Sequence, residues 1–331
     1  MAAHTLDVVG IGNAIVDVLA RADEAFIAKH GLAKGAMRLV DREQAERLYA
    51  AMGAGREVSG GSVANSIAGL ASLGGKGAYI GKVRDDQLGQ VFAHDLRSIG
   101  VRFDTPPATQ GPSTARCLIL VTPDAQRTMA TYLGACVDLG PADIDAKLVA
   151  SAQVTYLEGY LFDPPQAMAA FRKAAEVAHQ AGRKVALSLS DPFCVERHRA
   201  EFRDLVDRHI DVLFANEHEI CALYETKHFE QAAEAVRGHC EIAVLTRSER
   251  GSNIVTKRDM LHVAPAKVAR VVDTTGAGDL YAAGFLYGLT HGRDLETCGR
   301  FGSLAAGEII AHFGARPDTS LANLARGSGL L

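Results

Sequence analysis

The stretch Val272-Asp273-Thr274-Thr275-Gly276-Ala277-Gly278-Asp279 leads directly into the apolar, helix-forming run Leu280-Tyr281-Ala282-Ala283-Gly284-Phe285. Glycine lets the backbone turn tightly and approach a ligand closely. The free N–H groups at the start of a helix, together with its dipole, favour an anion there. A carboxylate at such a place repels a phosphate unless it has a task, such as taking a proton from an attacking hydroxyl. The stretch therefore predicts an anion site with Asp279 as its base, although an Asp that caps a buried helix explains these residues equally well.

Length and composition restrict the class of protein. A chain of 331 residues exceeds the size at which one core stops growing, so we expect a large domain with a smaller appendage. The chain has no run of 18 uncharged apolar residues, which argues against a membrane span. A net charge of −4 gives no electrostatic reason to bind nucleic acid. The absence of a signal-peptide pattern and of C-x-x-C pairs favours a cytoplasmic protein with reduced thiols.

Short apolar runs alternate with longer amphipathic ones along most of the chain. The strand-like runs are Leu6–Ile11, Ala78–Val83, Val154–Leu157, Val185–Leu189, Val212–Ala215 and Ile242–Leu245. The helix-like runs are Ser62–Leu73, Gln87–Ile99, Pro165–Ala181, Glu217–Tyr224, Phe229–Arg237, Gly276–Leu289 and Leu295–His312. This alternation predicts an α/β fold with a mostly parallel sheet covered by helices on both faces. The tail from Ala315 to Leu331 is predicted to wrap the surface.

Two regions depart from the alternation. The first contains the strand-like runs Ile15–Ala20 and Ala36–Leu39 around a short helix, and the second contains Ala115–Val121 and Thr128–Tyr132. No helix there looks long enough to cover the strands, which predicts antiparallel pairs that form a small sheet over the site. Edge hairpins of the main domain are the alternative. The predicted division is a core of residues 1–13, 59–107 and 137–331 and a lid of residues 14–58 and 108–136.

Three polar motifs stand at the ends of predicted strands or the starts of helices. Gly10-Ile11-Gly12-Asn13-Ala14-Ile15-Val16-Asp17 lacks the third glycine of a dinucleotide fingerprint, so an Asp17 that binds a sugar diol, or one that lies in an edge turn, fits better. Ser59-Gly60-Gly61-Ser62-Val63-Ala64-Asn65 opens a helix, and Asn65 can bind a diol while Ser62 caps the helix. Asn216-Glu217-His218-Glu219 suits Mg²⁺ held through its waters, but the spacing alone favours a capping box.

In this order, the motifs resemble those of the ribokinase-like (PfkB) family of small-molecule kinases. Gly60–Asn65 is similar to the family's N-terminal signature, Asp273–Asp279 to its C-terminal signature, and Asn216–Glu219 to its N-x-x-E motif. The resemblance runs from about Val8 to about Phe313 and implies a ribokinase-like, three-layer α/β/α core with a small β-sheet lid. Within the family the match is closest to the adenosine kinases, because of Gly10–Asp17, of Gly-Gly-Ser before Asn65, and of Leu187–Phe193.

The resemblance implies roles for individual residues. Asp279 would be the base for the primary (5′) hydroxyl, and the backbone N–H groups of Gly276, Ala277 and Gly278 would hold charge on the transferred phosphoryl group. Arg127 would meet the phosphate from the lid. The residues implied for the substrate site are Asn13, Asp17, Gly60, Gly61, Ser62 and Asn65. The residues implied for ATP are Asn216, Thr246, Gly251 and Gly278, with Asn216 and Glu219 holding Mg²⁺ through water.

The implied activity is transfer of a phosphoryl group from ATP to the 5′-hydroxyl of a nucleoside, with adenosine converted to AMP. A sugar kinase of the same family, acting on fructose or a keto-deoxy sugar acid, is the alternative. Candidates for an apolar purine pocket are Met37, Leu39, Leu133 and Tyr160. The resemblance also implies Mg²⁺ as cofactor, K⁺ as a further ion, and a monomer or homodimer without nucleic-acid or membrane partners. A nicotinamide oxidoreductase explains only Gly10 and Gly12, and a non-catalytic regulator does not explain Asp279.

The chain departs from the family pattern at two positions. The turn on the ATP side usually reads T-x-G-x-x-G, and here Ser248 stands in place of the first glycine of Thr246–Gly251. Arg84 replaces a glycine that is common in the V-G-x-D segment. The first departure puts the details of the nucleotide turn in doubt, whereas the predicted catalytic helix keeps every residue of its motif.

Overall fold

The computed structural model describes residues 5–124, 126–162 and 164–331, which form two β-sheets and thirteen α-helices. The strands are β1 Leu6–Ile11, β2 Ile15–Arg21, β3 Met37–Leu39, β4 Arg56–Ser59, β5 Gly77–Ile80, β6 Arg102–Phe103, β7 Ala115–Val121, β8 Arg127–Tyr132, β9 Ala152–Glu158, β10 Lys184–Ser188, β11 Val212–Asn216, β12 Ile242–Thr246, β13 Ser252–Thr256 and β14 Met260–Val263. The helices are α1 Glu24–Lys29, α2 Arg42–Ala51, α3 Ser62–Ser72, α4 Gln87–Ser98, α5 Ala146–Ser151, α6 Pro165–Gln180, α7 Pro192–Arg197, α8 Arg199–Arg208, α9 Glu217–Leu223, α10 Phe229–Ala235, α11 Ala277–Thr290, α12 Leu295–Ile309 and α13 Leu321–Gly327.

The larger sheet has nine strands in the order β14-β13-β12-β11-β10-β9-β1-β5-β6. Its strands run parallel from β6 to β12, and β13 and β14 add an antiparallel edge. In the centre, Val9 of β1 lies opposite Thr155 of β9 on one side and Ala78 of β5 on the other. The predicted α/β fold with a mostly parallel sheet is therefore confirmed, although the sequence pattern missed β6, β13 and β14.

Successive side chains of the central strands enter two different cores. Val8 packs with α3, α4, α11, α12 and α13, whereas Val9 packs with α5 to α10 on the opposite face. Because neighbouring residues of a strand point to opposite faces, a strand that is buried on both sides must be apolar throughout. The prediction that the tail wraps the surface is wrong, since Leu321 and Ala325 of α13 are fully buried in the first of these cores.

The smaller sheet has five strands in the order β3-β8-β7-β2-β4. The predicted antiparallel pairing is correct for β7 with β8, but β2 runs parallel to β7 and β3 runs parallel to β8. The expectation that no helix covers these strands is wrong as well. Ile27 of α1 and Leu48 of α2 pack on Val18, Leu118 and other apolar residues of this sheet, so it has a small core of its own.

The helices α11 and α12 pack so closely that their backbones touch. A Cβ atom on Gly284 would lie 2.3 Å from the carbonyl oxygen of Phe301 and 2.7 Å from the backbone nitrogen of Gly302. Only a residue without a side chain fits there unless the two backbones move apart. The contact holds the helix that begins at the predicted anion site. Among the described residues, no helix combines the length and the apolar character needed to cross a membrane.

Replacing Gly284 by alanine should destabilise the protein by about 2–4 kcal/mol, because the new methyl group meets backbone atoms that cannot rotate away. Gly327 of α13 provides a matched control, since a Cβ atom there would meet nothing within 4 Å. Gly327→Ala should change stability by less than about 1 kcal/mol, with a gain expected from helix propensity. Equal midpoints of urea unfolding for the two variants would contradict this account of the α11–α12 contact.

Candidate active site

The carboxyl ends of β1, β9, β10 and β11, the start of α11 and one face of the smaller sheet enclose a cavity of about 920 Å³. Ligand sites of open α/β sheets lie at this edge. The predicted residues that line the cavity are Asn13, Asp17, Gly61, Ser62, Asn65, Asn216, Glu219, Thr246, Gly276, Ala277, Gly278 and Asp279. The predicted residues outside its lining are Gly60, Arg127 and Gly251. The structure therefore brings together most of the residues that the motifs singled out.

Asp279 is the third residue of α11 and does not cap it. Gly276 occupies the cap position with a left-handed backbone (φ 77°), so the alternative of a capping Asp279 is wrong. The Asp279 carboxylate accepts hydrogen bonds from Ser62 Oγ at 2.6 Å and from Asn65 Nδ2 at 3.0 Å. Burial raises the pKa of Asp279 to about 6, although both hydrogen bonds and the charge of Arg316 act in the opposite direction. The group is thus a carboxylate with increased basicity that is still ionised at neutral pH.

Asp17 projects from β2 towards the start of α3, where Gly60 makes room for it. A Cβ atom on Gly60 would lie 2.4 Å from the Asp17 carboxyl group. Gly61 has φ 93° and caps α3, so the alternative of Ser62 as cap is wrong. Burial raises the pKa of Asp17 to about 6, while the positive charges of Arg127 and Arg316 lower it. The carboxylate lines the cavity beside the backbone, as a diol-binding group would.

Glu158 is a cavity residue that the sequence motifs missed. It ends β9 and is almost fully buried. Its carboxylate accepts hydrogen bonds from Asn13 Nδ2 at 2.8 Å and from the backbone N–H of Val63 at 3.0 Å. Burial raises its pKa to about 7. Its position at the carboxyl end of a central strand was the available signal, since such positions face the ligand edge of the sheet.

Arg127 of β8 lies in an ion pair rather than in the cavity lining. Its Nη1 atom donates to both carboxylate oxygens of Asp273, at 3.0 and 2.9 Å, and both side chains are buried. Asp273 also accepts from the backbone N–H groups of Thr275 and Gly314. The arginine that the resemblance assigns to the phosphate thus joins the smaller sheet to the loop before α11, and its predicted role in binding phosphate stays a prediction.

Arg316 is the second cation near the site, and the sequence analysis placed it in the surface tail. Its guanidinium group donates to the carbonyl oxygens of Ser59 and Ala64 and to Ser59 Oγ. Its positive charge lowers the pKa values of both Asp17 and Asp279. No local motif marks Arg316, because it reaches α3 across more than 250 residues of chain.

Asn216 and Glu219 form the capping box of α9, so the structural interpretation of their spacing is correct. Both also line the cavity. Burial raises the pKa of Glu219 to about 7, and the negative charges of Asp191 and Asp279 raise it further. No group of three or more His, Cys, Asp or Glu side chains among the described residues could hold a metal directly. The Asn216 amide and the Glu219 carboxylate are oxygen-bearing groups of the kind that hydrated Mg²⁺ uses together with substrate phosphates.

The turn after β12 keeps a backbone shape that usually requires glycine. Ser248, which stands where the family has a glycine, has φ 51°, and Gly251 has φ 76°. The backbone N–H of Arg247 donates to the carbonyl oxygen of Gly251 at 2.8 Å, which closes the turn. A serine in the left-handed region is strained relative to glycine. The serine at position 248 thus keeps the shape of the turn, and its left-handed backbone conformation is strained.

One wall of the cavity is apolar. All four residues suggested for a purine pocket, Met37, Leu39, Leu133 and Tyr160, line it. Ile15 and Met129 from the smaller sheet and Phe193 from the larger domain extend the same wall. Met37, Leu39 and Phe193 are 43%, 48% and 70% exposed, so a flat ligand could still remove much apolar surface from water.

Comparison with known proteins identifies relatives of this chain. Residues 25–321 match the model of the pfkB family of carbohydrate kinases. The crystal structure of adenosine kinase from Sinorhizobium meliloti is 52% identical, covers 98% of this chain and 99% of its own, and has a TM-score of 0.92. A probable sugar kinase from Rhizobium etli CFN 42 is 50% identical, covers 99% and 100%, and has a TM-score of 0.94. The 5-dehydro-2-deoxygluconokinase of Bacillus subtilis is 27% identical over 76% of this chain and 80% of its own.

The chain therefore belongs to the pfkB family of carbohydrate kinases, has the ribokinase-like fold, and is an ATP-dependent kinase. Family membership and fold confirm the resemblance found in the sequence. The similar proteins carry both adenosine kinase and sugar kinase names.

Replacing Ser248 by glycine should stabilise the protein by about 0.5–1 kcal/mol, because glycine adopts a positive φ without steric strain. Ser328, with φ −95°, is the matched control. There the same substitution should cost about 0.5–1 kcal/mol by increasing the entropy of the unfolded chain. Thermal unfolding checks both variants, and a loss at Ser248 as large as that at Ser328 would mean that the turn is not strained.

Replacing Asp279 by asparagine should stabilise the protein at pH 8. The folded-state pKa of about 6 lies above the ordinary value of 3.8. Ionisation of Asp279 therefore destabilises the folded state as the pH rises through about 6. That stability returns as the pH falls towards 4. The variant should exceed the wild type by on the order of 1–3 kcal/mol at pH 8, and the difference should shrink at pH 4. Urea unfolding at both pH values measures it, and a difference that grows on acidification would contradict the raised pKa.

Proposed function

We propose that this kinase transfers the γ-phosphoryl group of ATP to the 5′-hydroxyl of a nucleoside, with adenosine as the acceptor and AMP as the product. The observation that carries the proposal is the mixed lining of the cavity. Asp17, Asn65 and Asn13 present polar groups, and Met37, Leu39 and Met129 of the smaller sheet present apolar side chains. A nucleoside has the same division between a hydroxylated ribose and a flat base.

The apolar wall favours an acceptor that carries a flat base over a free sugar. Met37, Leu39 and Met129 contribute side chains without hydrogen-bonding hydrogens, and a free sugar would leave its hydroxyl groups unpaired against them. Burial of a purine face contributes about 25 cal/mol per Å² of apolar surface, which amounts to several kcal/mol of gross driving force. The similarity to an adenosine kinase at 52% identity supports the same choice.

In the proposed mechanism, Asp279 accepts the proton of the 5′-hydroxyl as that oxygen attacks the phosphoryl group. The backbone N–H groups of Gly276, Ala277 and Gly278 face the charge that develops on the phosphoryl oxygens. Such transfers have loose transition states, in which positioning and charge neutralisation dominate. A base with a pKa near 6 suffices, because proton removal comes late.

Asn216, Thr246, Gly251 and Gly278 are proposed to bind ATP, and Asn216 with Glu219 to hold Mg²⁺ through water. When bound, Mg²⁺ neutralises phosphate charge. Glu219 suits this task because the negative charges of Asp191 and Asp279 already destabilise its ionised form, and a cation would relieve that repulsion. The K⁺ implied by the family resemblance stays a prediction without assigned residues.

A sugar kinase is the second candidate, and Glu158 is the observation that favours it. This carboxylate lines the cavity next to Asn13. It offers hydrogen-bond acceptors beyond those that the ribose of a purine nucleoside needs. The extra hydroxyl groups of fructose or of a keto-deoxy sugar acid would use them. The names of two of the similar proteins support this alternative.

Steady-state comparison of kcat/KM for adenosine, ribose, fructose and a keto-deoxy sugar acid, with ATP and Mg²⁺, decides between the two. Adenosine should give the highest value, and a higher value for any sugar would replace the adenosine assignment.

Asp279→Asn should lower kcat by about 10²–10⁴-fold for the true acceptor, because the base is lost while the anion site remains. Glu296→Gln is the matched control, since Glu296 is an exposed carboxylate in the first turn of α12.

We also propose that residues 14–58 and 108–136 act as a lid over the acceptor. Asp17 and the Met37, Leu39 and Met129 part of the apolar wall belong to these segments, whereas Asn65, Tyr160 and Phe193 belong to the core, so a bound nucleoside would contact both. Hydrogen exchange of the lid amides should slow when adenosine is added without ATP. Exchange that slows only in the core, or nowhere, at saturating adenosine would contradict closure. Addition of ribose alone controls for contacts made only by the sugar.

A further inference from the structure

Both oxygens of the Asp279 carboxylate are bonded to α3. Ser62 Oγ donates to Oδ1 at 2.6 Å, and Asn65 Nδ2 donates to Oδ2 at 3.0 Å. These two residues lie three positions apart on α3, so they share one face of the helix. The carboxylate is therefore held from two directions by a helix more than 200 residues away in sequence.

The two donors differ in what else they can do. The Oδ1 atom of Asn65 is buried and has no hydrogen-bond partner among the described residues. An amide with an unused acceptor is suited to meet a hydroxyl donor of the acceptor substrate. Ser62 has one O–H group, and that group is already directed at Asp279. A serine that donates to the base has no second proton to donate to a substrate.

We propose that Ser62 is a positioning residue for Asp279, and that Asn65 is shared between Asp279 and the acceptor diol. This inference rests on the proposed role of Asp279 as base. Ser62 holds Oδ1, and Asn65 accepts from the diol through its free Oδ1 while its Nδ2 stays on Oδ2 of Asp279, which has a second lone pair for the hydroxyl that is to be deprotonated. The proton of that hydroxyl then moves to Oδ2 as its oxygen bonds to phosphorus and the bond from phosphorus to the ADP oxygen breaks.

The proposed positioning role of Ser62 differs from the substrate-binding role that the family resemblance implies for it. A substrate ligand would lower affinity when removed, whereas a group that aims the base lowers turnover. Misplacement of a catalytic group by about 1 Å can cost on the order of 10²-fold in rate.

Several charged and titratable groups face Asp279 and contribute to its pH response. They are Arg316 from the segment before α13, Asp17 of β2, Glu158 and Tyr156 of β9, Tyr160, and Glu219 of α9. A substitution at Ser62 leaves all of these side chains in place in the sequence. A shift of the Asp279 titration in such a variant would therefore report the lost hydrogen bond.

Ser62→Ala should lower kcat by about 10- to 100-fold while the KM for the acceptor changes less than about threefold. Ser62→Thr retains the hydroxyl and should recover most of the turnover, whereas Ser62→Val has the same shape without it and should not. Ser98→Ala is the control, because Ser98 is exposed at the end of α4 and its hydroxyl donates to the carbonyl oxygen of Asp95, not to Asp279. It should match the wild type.

A titration of the free enzyme provides a readout that does not depend on the acceptor. The ¹³C carboxyl resonance that disappears in Asp279→Asn reports the pKa of Asp279. That pKa should rise in Ser62→Ala and Ser62→Val and stay unchanged in Ser62→Thr, because a hydrogen bond to the ionised form lowers a carboxyl pKa. In Ser62→Ala and Ser62→Val, the acidic limb of the pH profile of kcat/KM should therefore move to higher pH.

A higher KM with unchanged kcat in Ser62→Ala, or equal kcat values of Ser62→Thr and Ser62→Val, would overturn the inference.

Failure of the proposed function can be distinguished from failure of this inference. If the wild type phosphorylates a sugar instead of adenosine, the proposed acceptor is wrong, but the same comparison on that sugar still tests Ser62. If Asp279→Asn retains more than about a tenth of wild-type turnover, the proposed base is wrong. The ¹³C titration would then still show whether Ser62 holds the carboxylate.

Discussion

Five carboxylates, those of Asp17, Glu158, Asp191, Glu219 and Asp279, line one cavity, and the rest of the site depends on how the fold tolerates their charge. Asp17, Glu158, Glu219 and Asp279 all have pKa values that burial raises to between about 6 and 7. The charges of Arg127 and Arg316 lower the pKa of Asp17, and Arg316 also lowers that of Asp279. The backbone N–H groups of Val63 and Asn216 donate to Glu158 and Glu219. Groups held in a state that costs stability are typical of functional sites. The same carboxylates would bind a hydroxyl, a diol and a hydrated cation.

The position of the base follows from the close packing of α11 against α3 and α12 at two glycines. A Cβ atom on Gly69 of α3 would lie 2.5 Å from the Leu280 side chain and 2.8 Å from Ala283 of α11. On its other side, α11 touches α12 at Gly284. These contacts set the distance between the starts of α3 and α11, and with it the hydrogen bonds that Ser62 and Asn65 make to Asp279. Small residues far from the cavity thereby determine the geometry inside it.

Much of the fold and of the site could be predicted from the sequence, because the signals are local. Buried parallel strands are apolar throughout, and the glycines beside Asp279, Asp17 and Asn65 mark tight turns and close approaches of the backbone. The smaller sheet was predicted less well. Its helices α1 and α2 are short, so their apolar faces give a weak periodic signal, and the parallel pairing of β2 with β7 joins segments about 100 residues apart.

The residues that local reasoning missed act across long separations in the chain. Glu158 carries no motif, and Arg316 lies in a segment whose composition resembles a surface tail. Each becomes part of the site because tertiary packing places it against α3. The same limit explains Ser62, whose place after two glycines matches a substrate-binding signature although its hydroxyl is directed at Asp279. A family motif identifies which residues are near the chemistry, whereas the partner of each side chain determines whether it contacts the substrate or orients the group that does.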